Sequence, residues 1–174
     1  MAFFCACFSL LVVSCLSQPC LTFGGAFLWM KIMFPYGKTS QARLDTCHVD
    51  TQTIFNEVKK FINASIFCGY RGKDEQNKAF ADGLSQLEWP NSKHNTFPSM
   101  AIDAGPYFVE LSNTDWKDEL AFAVFAGHVM CIARQLYAEG KTTHLLRWGG
   151  DWDMDGRSRD ERFRDLPHFE LYKP

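Results

Sequence analysis

The segment TDWKDELAFAVFAGHVMCIARQLYAEG, from Thr114 to Gly140, constrains the architecture more than any other. It is the longest stretch with helical character, opened by Thr114 or Asp115 and stopped by Gly140. A helix of that length with an apolar stripe must lie against something, and the short runs around it supply a sheet. SMAIDA (Ser99–Ala104) alternates as a strand, and THLLRW and HFELY add two more candidates. Upstream, Ile54, Phe55, Val58, Phe61 and Ile62 recur at helical spacing and predict a helix from about Asp50 to Asn63. SIFCGY (Ser65–Tyr70) reads as a buried strand, and KDEQNKAFADG as a helix with Asp74 near its start and Gly83 closing it. Strands separated by non-repeating helices and loops predict an α+β domain, with no nucleotide fingerprint and no internal repeat.

One boundary divides the chain. Residues 1–30 contain no Lys, Arg, Asp, Glu or His, whereas everything after Lys31 has ordinary globular composition. The apolar run Phe3–Leu16 has the length of a signal-peptide core but lacks a basic flank, and a membrane span would have to include Gln18, Pro19 and Gly24-Gly25. An export signal, a membrane anchor and a misassigned start with Met33 as the working first residue are all open. The expected organisation is therefore a leader over residues 1–32 and one domain over 33–174. Four of seven cysteines (Cys5, Cys7, Cys15, Cys20) lie in the leader; Cys68 and Cys131, in apolar surroundings, read as buried small hydrophobes rather than as a disulfide framework. A net charge of -2 gives no general reason to expect nucleic acid or an anionic membrane as partner, so membrane contact is expected only through residues 1–30.

The chemistry begins with charged residues where a core strand would prefer none. Asp103 in MAIDAG shares a strand face with Ala101, so its carboxylate lies at an open end of the sheet or is paired with a cation. In RDLPHFELY, Asp165 stands three before His168; strand alternation puts His168 and Glu170 on one face and Phe169 and Leu171 on the other. A catalytic zinc takes three nitrogen or oxygen ligands and keeps a fourth position for water. His94, Asp103 and His168 could be such ligands, with Asp165 close by to move a proton. Spacing alone leaves this open, since distant His and Asp are common.

Those residues also carry a resemblance. From about Ser40 to Tyr172 the chain resembles the zinc D-Ala-D-Ala carboxypeptidase and L-alanyl-D-glutamate endopeptidase family, whose pattern is Ser-x-His, then Ala-x-Asp, then an acidic residue three before a His in a terminal strand. Here these are SKH, AID and DLPH, and GYRGKDEQNKAF, the PS before MAID, and RWGGDW resemble the phage and bacterial endopeptidase branch. The resemblance implies a Hedgehog/DD-peptidase-like α+β fold whose small antiparallel sheet carries a zinc site. It implies zinc on His94, Asp103 and His168, Asp165 as general base and acid, and Arg71 on the substrate carbonyl and its oxyanion. Ser92, Ser99 and Trp152 are expected to touch substrate. The better-known form has six residues between His and Asp with a Gly among them; eight intervene here, with Pro98 and Ser99 in the Gly position. The base is Asp where the dipeptidases have Glu, which favours the endopeptidase side.

The implied activity is cleavage of the peptidoglycan stem peptide between L-Ala and D-Glu, by a monomeric phage or prophage lysis enzyme made in the bacterial cytoplasm and acting at the wall. Two alternatives stand beside it: a D-Ala-D-Ala carboxypeptidase or dipeptidase, and an inactive zinc-stabilised wall-binding module. Arg71 could instead pair with Asp74, and Trp148 and Trp152 could line a groove or pack in the core. His48, His128 and His144 lie outside the pattern and read as structural. Asp151, Asp153, Asp155 and Gly156 imitate the start of a calcium loop, but Arg162 stands where its closing Glu belongs, so the stretch reads as a solvated loop.

Overall fold

A computed structural model describes residues 34–174; the leader readings fall outside the described residues. The element order is α1 (Lys38–Leu44), α2 (Val49–Val58), β1 (Ala64–Cys68), α3 (Lys73–Ala81), a 3-10 turn (Lys93–Asn95), β2 (Ala101–Pro106), α4 (Glu119–Ala138), β3 (Leu145–Trp148) and β4 (His168–Tyr172). The four strands form one sheet in the order β1-β2-β4-β3, every neighbouring pair antiparallel. This is the α+β class expected.

Strand periodicity sorts the sheet into two faces. Ile66, Ile102, Ala104, Phe169 and Leu171 point to one side and are buried with Ile54, Phe55 and Val58 of α2 and Phe125, Val129 and Ala133 of α4. The Phe169 ring meets Phe55 and Phe125 edge-on, at centroid distances of 5.9 and 6.1 Å. Truncating it to Ala would cost about 3–5 kcal/mol. The opposite face carries Asp103, His168 and Glu170. By length and composition α4 could cross a bilayer. Its stripe from Phe122 to Leu136 is instead buried against the sheet and α2.

Two helix ends differ from expectation. The predicted helix to Asn63 stops at Val58, because the backbone N–H groups of Lys60 and Phe61 turn back to the carbonyls three residues earlier. The long helix starts at Glu119, not at Thr114 or Asp115. The Thr114 hydroxyl is committed to Pro106 O at 2.7 Å, and Asp118 is the cap, accepting from Ala121 N–H at 2.9 Å. Gly140, at φ +69°, ends α4 as expected. The three described cysteines are free: Cys47 is buried, but Cys131 is exposed and Cys68 only partly covered. For the latter two the buried reading is corrected: Cys131 sits on the solvent stripe of α4, and Cys68 on the non-core side of β1.

Candidate active site

Asp103 lies at the crossing of three strands, directly opposite Cys68 of β1 and His168 of β4. His94 arrives from the 3-10 turn, whose geometry is fixed by local bonds. Ser92 Oγ accepts from His94 N–H at 3.2 Å, and His94 O accepts from Arg71 N–H at 2.9 Å. Asn95 Nδ2 donates to Arg71 O at 2.9 Å, so this turn and the β1–α3 connection brace each other.

The sequence-predicted ligand atoms meet. His94 Nε2 and His168 Nδ1 each lie 3.1 Å from Asp103 Oδ1 and 3.3 Å from one another. The outer nitrogens are anchored: His94 Nδ1 is 2.6 Å from Gly69 O, and His168 Nε2 is 3.3 Å from Glu170 Oε2. A carbonyl or carboxylate oxygen only accepts, so each outer nitrogen carries a proton. Neutral rings in these tautomers aim two lone pairs and a carboxylate at one point, which repel unless a cation sits there. Burial alone would lower His94, but the Asp103 carboxylate outweighs it and pushes the ring up to about 10. His168 is raised against the same opposition, and Asp103 is held well below the usual carboxylate range by the two rings although burial opposes it. Two imidazoles and a carboxylate with fixed outer partners are a donor set that fits a divalent metal.

Behind the rings, Glu170 is buried, and its carboxyl is held down to about 2: burial would raise it, but His168 and Arg147 prevail. Arg147 also lies 5.2 Å from the Trp152 ring, which tilts over His168 with centroids 5.5 Å apart. Trp148 turns the other way, against the core, with Nε1 donating to Leu166 O at 2.8 Å.

Asp165 faces the same cleft of about 630 Å³, together with Arg71, His94, Asp103, Trp152 and His168. Its position follows from the backbone: Asp165 N–H donates to Gly149 O at 2.8 Å, and its carbonyl accepts from His168 N–H at 3.0 Å. A side chain at 149 would come within 2.5 Å of Asp165 O, so glycine permits the approach. Burial raises the Asp165 pKa, Asp103 raises it further, and His168, His94 and Arg71 oppose. Arg71 does not pair with Asp74. Its Nη2 donates to Asp103 Oδ2 at 3.1 Å and its Nη1 to Gln76 Oε1 at 3.4 Å.

Of the expected substrate contacts, Ser92 and Trp152 line the cleft. Ser99 does not. It is fully buried, donating to Ala101 O at 2.7 Å and accepting from Ala101 N–H, so it shapes the entry to β2 and cannot reach substrate.

Among the described residues three groups could hold a metal ion: Cys68, His94 and Asp103; His48, Asp50 and His144; and Asp151, Asp153 and Asp155. The second was read from sequence as containing structural histidines only. Nothing local in sequence could have joined its members, because Asp50 and His144 are 94 positions apart. The third lies in an exposed loop built on its own backbone N–H bonds.

Comparison with known proteins accords with this geometry. The profile of a family described as phage L-alanyl-D-glutamate peptidase matches residues 32–172. Among solved structures, the chain is similar to the Serratia marcescens L-Ala D-Glu endopeptidase ChiX. The identity is 22% and the TM-score 0.59, over 79% of this chain and 89% of that one. That likeness speaks to the fold. No curated protein matches.

Proposed function

The chain belongs to the phage L-alanyl-D-glutamate peptidase family, and from that premise we propose that it is a zinc peptidase cutting the peptidoglycan stem peptide between L-Ala and D-Glu, as a lysis enzyme of a phage or prophage. The observation that carries the reading is the convergence of His94 Nε2, His168 Nδ1 and Asp103 Oδ1 beside Asp165 in one cleft.

In this reading His94, Asp103 and His168 hold the metal, which when bound supplies Lewis acidity to water and to the scissile carbonyl. Asp165 takes the proton of the attacking water and returns it to the leaving amine, a task that its upward-shifted pKa suits. Arg71, fixed by Asp103 and Gln76, presents its guanidinium to the oxyanion that forms at the carbonyl carbon. Trp152, tilted over His168, forms one wall of the peptide groove. The protein acts as a monomer, made in the host cytoplasm and working on the wall.

The test is digestion of purified peptidoglycan by the full chain with zinc, beside its His168→Ala variant, with the new ends identified by mass spectrometry. A zinc-dependent amino terminus on D-Glu, lost in the variant, supports the reading. Release of D-Ala or D-Ala-D-Ala without that terminus moves the protein to the carboxypeptidase and dipeptidase side. Wall binding with no cleavage leaves the non-catalytic alternative.

A further inference from the structure

We propose that Trp116 is the platform for the muramic acid sugar from which the stem peptide hangs, so that the enzyme prefers glycan-bearing peptide to free peptide. This rests on the reading that the bond cut is L-Ala–D-Glu, and adds to that site a sugar subsite built by β1, β2 and the chain entering α4.

The subsite starts from strand register. β1 pairs with β2 as Ala64–Pro106, Ser65–Gly105 and Ile66–Ala104, and then an irregularity sets Cys68, not Phe67, opposite Asp103. A bulge of this kind leaves one residue extra, and both Phe67 and Cys68 line the cleft. The Phe67 ring finds its room over Gly105, which shares a strand face with Asp103 two residues earlier. A side chain at 105 would come within 2.6 Å of the Phe122 ring and 3.0 Å of the Phe67 ring, so glycine is what lets two aromatic rings lie on this part of the sheet. Trp116 tilts over both, its ring centroid 4.5 Å from that of Phe67 and 5.8 Å from that of Phe122.

Two rings support the indole, yet it is 56% exposed and lines the cleft that holds Asp103, Asp165 and His168. The chemistry of the substrate selects what meets it. In peptidoglycan L-Ala is joined through a lactyl group to muramic acid, so the sugar begins about two residue lengths, roughly 7 Å, from the scissile carbonyl. Gly105 lies two residues along β2 from Asp103, a span of roughly 7 Å at the rise of a strand. The face of an aromatic ring is electronegative: it attracts the C–H groups of a pyranose and repels carboxylates. Beyond the scissile bond the stem carries the free carboxylate of D-Glu and that of its own terminus, whereas L-Ala, lactyl group and sugar are uncharged. The aromatic end of the cleft therefore suits the glycan side.

The experiment gives the full chain, with zinc, a pair of substrates of identical peptide sequence. One carries the N-acetylglucosaminyl-N-acetylmuramyl disaccharide and the other is capped by the lactyl group alone. Cleavage of L-Ala–D-Glu is followed by mass spectrometry, and kcat/KM is compared as a ratio. Wild type should prefer the disaccharide substrate by about tenfold, chiefly through KM. Trp116→Leu keeps an apolar side chain on Phe67 but offers no ring face, and should abolish the preference; Trp116→Phe should keep most of it. A merely structural role for Trp116 would slow both substrates together and leave the ratio as in wild type, which overturns the proposal, as does a wild-type enzyme with no preference. Failure to cut either substrate at L-Ala–D-Glu overturns the reading beneath it.

Discussion

The molecule contains two His-Asp-His clusters that put the same side chains to opposite ends. In the cleft, Asp103 Oδ1 faces two ring nitrogens whose outer partners are fixed, so the inner atoms are left to share one cation. In the other, Asp50 Oδ2 already accepts from Thr143 N–H, Thr143 Oγ1, His144 N–H and His144 Nδ1. Its lone pairs are spent on tying the start of α2 to the chain entering β3. His48, with its ring edge-on to His144 at 4.9 Å, caps α2 by accepting from Asp50 N–H at 3.1 Å. Composition does not make a metal site; surplus acceptors do. Both groups have donor atoms in reach of an ion, but in the cleft the carboxylate oxygen that the two rings share takes no backbone donor, whereas Asp50 Oδ2 takes two, and only the cleft has a second acid, Asp165, facing it.

The comparison is tested most severely at the proton-handling residue. Asp165→Asn should lower kcat by about 10²–10⁴ while leaving KM and the bound metal nearly unchanged. A parallel fall in metal content would mean that Asp165 is itself a ligand. Next in size, Asp50→Ala strands four donors at the α2–β3 junction and should cost about 3 kcal/mol of stability, read by denaturant unfolding. Metal stoichiometry should stay at one per chain. A drop from two to one would show that the second cluster binds an ion and would erase the distinction drawn here. Glu170→Gln then probes the fixed outer partner of His168, and should weaken metal affinity by about 10–100-fold with little loss of fold.

The pH dependence separates the clusters in a smaller way. Burial alone would raise the Asp50 carboxyl, but hydrogen bonds from His144 and Thr143 outweigh it and hold the group below its usual value. A folded-state pKa below the unfolded one means that this stability is fully present above the unfolded value of about 3.9 and is lost as pH falls through the lowered folded value. Acid unfolding of Asp50→Asn should therefore be shallower in that window than wild type. An identical acid limb in the two proteins would mean that the Asp50 bonds add nothing to folding.

How much of this was legible in sequence depends on the range of the signal. HFELY announced that Phe169 and Leu171 enter the core while His168 and Glu170 face away, because a strand's period of two is local. The ligand set was named on resemblance, and the structure brings all three residues together. Three features were hidden for stated reasons. The bulge in β1 turns Cys68 to the face opposite its apparent one, and no periodicity reports a bulge. Ser99 was expected to touch substrate, yet its hydroxyl is consumed by Ala101, the first residue of β2. Asp50 and His144 come together only through tertiary packing. The start of α4 was misplaced because Thr114, a good cap by type, is claimed by the Pro106 carbonyl.

The smallest effect is the most specific to the second cluster. His48 supplies one acceptor to the first turn of α2, through a ring that is only partly buried. His48→Ala should cost about 1 kcal/mol, the usual scale for losing a cap, and His48→Asn should recover most of it, because Asn offers the same kind of acceptor. Neither change should alter cleavage or metal content. If the second cluster held an ion, Asn would be a poor substitute for imidazole, and both variants would lose the second equivalent together. Recovery of stability by Asn at constant stoichiometry is therefore the result that separates a cap from a ligand.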